Sequence, residues 1–76
     1  MGIINKINSL LELNNENIST YAKFTNRSQP NISNKIKRNS WTAKDLILLA
    51  ELTNTTLMFI DDKGNQIILD KDDIEE

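Results

Sequence analysis

Hydrophobic positions recur along the first half of the chain at intervals of three and four. Ile3, Ile4, Ile7, Leu10 and Leu11 make the first stripe, the pattern of an amphipathic helix with one buried face, and it predicts a helix ending near Leu13. The polar stretch NNEN at 14–17 interrupts it. Asn17 is a good N-cap for a second helix, with Ile18, Tyr21, Ala22 and Thr25 turned inward. Asn26 stands where a helix closes in a left-handed conformation, which Asn tolerates better than any residue except glycine. Ser28 then caps a third helix, with Pro30 in its first turn, where a missing N–H costs little. Ile32 and Ile36, four apart, are its buried side. The fourth helix opens at Thr42, which forms a capping-box pattern with Asp45 and is flanked by Trp41 and Leu46 at the positions of a hydrophobic staple. It runs through AKDLILLAEL to about Asn54.

Beyond Asn54 the period changes from helical to extended. TLMFI and QIIL flank DDKGN, a hairpin pattern in which Gly64 supplies a positive φ. Both strands are apolar at successive rather than alternate positions, so both faces are expected to be covered. One face is assigned to the helices and the other to a second subunit. Leu57, Met58, Phe59, Ile60, Ile67, Ile68 and Leu69 are the expected dimer interface. The closing DKDDIEE predicts a solvated, frayed acidic tail. The organisation is mainly α: a helical part at 1–54, a hairpin at 55–70 and the tail at 71–76.

With 76 residues the chain makes one small domain with a marginal core. It has no Cys and no His, which excludes disulfides and the usual zinc sites. A homo-oligomer is the remaining way to supplement a small core. No apolar run approaches the roughly 20 residues that span a bilayer, and the start lacks the layout of a signal peptide, so the cytoplasm is the expected location. Without His, Cys or a Gly-rich phosphate loop, no enzyme, cofactor or small-molecule substrate is expected. The formal net charge of −2 hides a marked asymmetry. Residues 17–44 hold six Lys and Arg and no acid, whereas 61–76 hold seven acids and two lysines. The sign distribution, more than the sum, is informative about partners.

Ala22 sits in the middle of the second helix, Asn26 comes four later and Ile32 six after that. This is the spacing of a DNA-binding helix-turn-helix, in which a small residue lets two helices cross closely. The chain from 3 to 54 resembles the lambda-repressor-like, Xre/Cro class of bacterial and phage regulators. SQPNISNKIKRNSWTAKDLILLAELTNTTLMFID resembles a subgroup in which the motif is followed by Ser-Asn-Lys-aliphatic-Lys-Arg, a capped helix and a β-hairpin. The resemblance implies a four-helix lambda-repressor-like domain followed by a C-terminal β-hairpin. It implies a sequence-specific transcriptional regulator, a dimeric repressor on palindromic double-stranded DNA, with the helix 28–37 in the major groove.

On such a helix Gln29, Asn31, Ser33 and Asn34 are placed to reach bases, Gln29 foremost, and an amide matches the paired donor and acceptor on adenine. Lys23, Arg27, Ser28, Lys35, Lys37, Arg38 and Lys44 are the expected phosphate contacts, which position without reading sequence. Three positions depart from the family pattern: Ile18 replaces a Gln that binds phosphate, Thr25 is small and polar, and Arg27 replaces an apolar residue. These departures keep an alternative open, a protein-interaction module on the same fold (antirepressor, antitoxin or regulator partner) that does not bind DNA itself.

Overall fold

The computed structural model describes residues 2–74. In chain order it holds α1 (Ile4–Leu13), α2 (Ile18–Phe24), α3 (Gln29–Arg38), α4 (Ala43–Thr53), β1 (Leu57–Ile60), β2 (Gln66–Leu69) and a 3₁₀ turn at Lys71–Asp73. Four helices followed by a two-stranded antiparallel hairpin is the order the periodicity predicts. The described residues form two compact units that divide between Thr42 and Ala43, so α4 groups with the hairpin.

In the first unit the buried side chains are Ile7 and Leu11 of α1, Tyr21 and Ala22 of α2, and Ile32 of α3. They lie at the helical spacings of the apolar stripes. α2 packs against α3. Trp41 lies against the fully buried Tyr21, with ring centroids 5.8 Å apart and planes tilted by 56°, an arrangement that aromatic pairs favour over a flat sandwich.

The helix starts follow local chemistry. The Asn17 side chain accepts from Thr20 N–H at 2.9 Å and caps α2. The Ser28 hydroxyl oxygen accepts from Asn31 N–H at 3.3 Å and caps α3, with Pro30 in the first turn. The helix ends all use one device. Asn15, Asn26, Asn39 and Asn54 follow α1, α2, α3 and α4 respectively, each with φ between 51° and 59°. Each is bracketed by the paired bonds of a Schellman closure. After α2, for example, Arg27 N–H donates to Ala22 C=O at 2.9 Å and Asn26 N–H to Lys23 C=O at 3.1 Å. A chain with two glycines thus closes every helix on an asparagine.

In the second unit α4 buries Asp45, Ile47, Leu49, Ala50 and Thr53 and half-buries Leu46, Leu48 and Leu52. A helix apolar on nearly every side is one covered on nearly every side. Asp45, expected as the capping-box partner of Thr42, is in the first turn and fully buried. α4 packs against β1 and against the 3₁₀ turn. The hairpin pairs Leu57 with Leu69, Met58 with Ile68, Phe59 with Ile67 and Ile60 with Gln66. Gly64 has φ 87° as expected, and the Asp61 carboxylate closes the loop by accepting from the N–H groups of Lys63 and Asn65, both at 2.9 Å.

Two expectations need refining. The face of the hairpin assigned to the helices is covered at its base only. Leu57, Met58 and Leu69 at its base are half-buried, while Phe59, Ile60, Ile67 and Ile68 are 69%, 61%, 66% and 52% exposed. Opposite partners share a face, so the tip is bare on both faces, and burial grades along the hairpin rather than across it. The tail is also not frayed over its first residues. The Asp70 carboxylate accepts from Asp72 N–H at 3.0 Å, and the Asp73 carboxylate accepts from Asp70 N–H at 2.8 Å, a reciprocal capping box that winds residues 71–73 and leaves Ile74 half-buried. The rest of the expected tail, 75–76, lies outside the described residues.

Candidate nucleic-acid interface

The basic, acid-free segment folds into α2, the turn 25–28, α3 and the start of α4. Within the first unit the outer side of α3 is polar except for Pro30. Ile32 is 0% exposed, Ile36 and Lys35 are half-buried, and every other residue of the helix is exposed. At about 100° per residue, the side opposite Ile32 is centred on Pro30, Asn34 and Lys37, with Asn31 and Arg38 on one flank and Ser33 on the other.

The four expected base-reading residues are therefore not equivalent. Asn31, Ser33 and Asn34 are exposed, and their side chains make no hydrogen bond among the described residues. Gln29 is exposed but lies nearer the Ile32 side of the helix, and its Nε2 donates to Ser19 Oγ of α2 at 3.0 Å. One N–H of this amide is committed; the other N–H and Oε1 remain. The residue ranked first from the sequence is thus held on the α2 side, and Asn34 occupies the middle of the outer face. A bond between residues ten apart in sequence carries no periodic signal, so nothing in the sequence pointed to Ser19.

The expected phosphate contacts fall on α2, the following turn, α3 and the start of α4. Lys23 is exposed in the last turn of α2, and Arg27 is half-buried in the turn. Lys35, Lys37 and Arg38 lie in the last turn of α3, Lys37 and Arg38 fully exposed and Lys35 half-buried. Basic groups at a helix C-terminus also oppose the negative end of its dipole. The Ser28 oxygen accepts the capping bond, which leaves its O–H to donate outward. Lys44 is exposed in the first turn of α4, in the second unit. No acid lies between Asn17 and Lys44, so the face of α3 carries no carboxylate of its own helix or of α2.

What this arrangement can do chemically is limited and specific. It offers amides and a hydroxyl on the exposed side of one helix, with basic residues at the end of that helix. Among the described residues no group of three or more His, Cys, Asp or Glu could hold a metal ion, and no helix is long and apolar enough to cross a membrane. Searches against family models, curated proteins and solved structures find no match to the chain.

Proposed function

We propose that this chain is a sequence-specific double-stranded-DNA-binding regulator of the Xre/Cro helix-turn-helix kind, a cytoplasmic repressor that lays α3 in the major groove. The observation that carries the reading is the outer face of α3: Asn31, Ser33 and Asn34 are exposed and make no side-chain hydrogen bond among the described residues, Lys37 and Arg38 stand on the same helix, and no acid lies from 17 to 44. α2 and its tight turn present that helix as a rigid rod, and a helix is what the groove admits. Lys23, Arg27, Ser28, Lys35, Lys37 and Arg38 supply the backbone contacts of this unit. Repression follows from occupancy of a promoter.

The bare hairpin tip supports a homodimer, and a dimeric regulator of this kind binds a palindromic site whose halves lie about one turn of DNA, ~34–36 Å, apart. The same tip also favours a second reading, a module that docks on another protein without binding DNA.

Selection of duplexes from a random pool at low salt separates the two readings. The DNA reading expects an enriched palindrome whose affinity falls steeply with ionic strength, by a slope of about 0.9 per phosphate contact. Lys37→Ala and Arg38→Ala weaken all sequences alike and each lower that slope by about one. Absence of enrichment overturns the DNA reading in favour of a protein partner.

A further inference from the structure

We infer that the site read by α3 has a core of A·T base pairs, with Asn34 as the residue that specifies an adenine and Pro30 as the residue that meets a thymine methyl. This rests on the DNA reading above and deepens it.

The major groove asks for different chemistry from each base. Guanine shows two acceptors and is matched by the paired donors of Arg or Lys; cytosine shows a donor and is matched by a carboxylate; adenine shows an acceptor beside a donor and is matched by an amide; thymine adds a methyl. The first six residues of α3 are Gln29, Pro30, Asn31, Ile32, Ser33 and Asn34. They contain no Arg, Lys, Asp or Glu, so this half of the helix has no group for guanine or cytosine of the matching kind. Its basic residues begin at Lys35 and cluster in the last turn. Lys37 lies about 12 Å along the axis from Gln29, away from the N-terminal residues that enter a groove first.

Among the amides, Gln29 is turned toward Ser19 and shares one of its N–H groups. Asn31 lies on the flank. Asn34 sits in the middle of the outer face, exposed, with both N–H and C=O uncommitted among the described residues. Pro30 is four residues earlier on the same stripe, also exposed, and presents an apolar ring with no donor. One amide and one apolar surface a helical turn apart match an adenine and a neighbouring thymine methyl.

The test is duplex selection with the wild type, Asn34→Ala and Asn34→Arg, followed by affinities on the selected site with one thymine at a time replaced by uracil. The expected result is a core of A·T pairs in which one adenine loses its preference in Asn34→Ala, by a factor of about 5 to 150. Asn34→Arg moves that position to guanine. Removal of one thymine methyl weakens the wild type severalfold and leaves Pro30→Ala unchanged. A wild-type consensus whose Asn34-dependent position is a G·C pair overturns this inference and leaves the DNA reading standing. No wild-type enrichment overturns both.

Discussion

Ile3 N–H donates to the Asn39 side-chain oxygen at 3.2 Å, across 36 residues of sequence. The bond joins the entrance of α1 to the left-handed residue that closes α3, directly after the basic last turn. Asn39 therefore has two tasks: its backbone adopts φ 51°, and its side chain satisfies an N–H at a helix start. A Cβ on Gly2 would collide with the same side chain.

Asn39→Ala removes the bond and leaves a Cβ in a conformation that non-glycine residues adopt only at a cost. The expected loss is about 1–2 kcal/mol, read from urea unfolding followed by the single Trp41. Gly2→Ala should lose part of the same energy, because Asn39 must swing away from Ile3 to admit the methyl. Additivity in the Gly2→Ala/Asn39→Ala double variant would contradict the shared cause.

The other three left-handed asparagines give an internal control. Asn15, Asn26 and Asn54 have the same backbone sign as Asn39, yet their side chains make no hydrogen bond among the described residues. Glycine removes the Cβ strain at these positions and costs some unfolded-state entropy, so each Asn→Gly change should be worth a few tenths to about 1 kcal/mol of added stability. Asn39→Gly should give no such gain, since it also discards the bond to Ile3. Four equal responses in thermal unfolding would sink the distinction.

The sequence was most legible where structure is set by local chemistry. Asn17, Ser28, Asn26 and Gly64 act within a few residues of themselves, and each takes the role its position implies. The same signal, an Asn just after the last periodic apolar residue, was equally present at Asn15, Asn39 and Asn54 and marks the end of every helix. The reciprocal bonds of Asp70 and Asp73 are likewise a short-range pattern that an acidic composition obscured. What could not be read were relations through space. The Gln29–Ser19 bond, which turns one amide away from the middle of α3, depends on how α2 meets α3. The bare hairpin tip depends on how far α4 reaches along strands of four residues.

The hairpin loop should respond to acid at one residue. The Asp61 carboxylate accepts from Asn65 Nδ2 at 2.8 Å and from the N–H groups of Asn65 and Lys63. These bonds, the Asn65 side chain foremost, hold its pKa below the usual carboxylate value. A depressed folded-state pKa means that the contribution is complete above the unfolded value of about 3.9 and is lost as pH falls through the folded value. The loop should thus stay closed to mildly acidic pH and loosen below it. Carboxyl-carbon NMR should place the Asp61 midpoint low in the wild type and nearer the ordinary value in Asn65→Ala. Equal midpoints would contradict the assignment.

The exposed hairpin tip makes the proposed dimer testable without disturbing the fold. Phe59 lies opposite Ile67, and both are more than half exposed, so a charge at Phe59 meets water within the single chain. Phe59→Asp should leave the unfolding transition of the monomer within about 0.5 kcal/mol of its wild-type position, as for other exposed sites. If two copies meet at this tip, the same charge must be desolvated against an apolar surface, which is far costlier. The wild type should then sediment as a dimer at tens of micromolar and Phe59→Asp as a monomer. On a two-half-site duplex the variant should lose the gain of linked binding, about a hundredfold or more, while its affinity for one half-site is unchanged. Leu57→Ala, at the half-buried base, should instead lower stability without separating subunits. A wild type that is monomeric both free and on DNA would leave the apolar tip to a different protein partner.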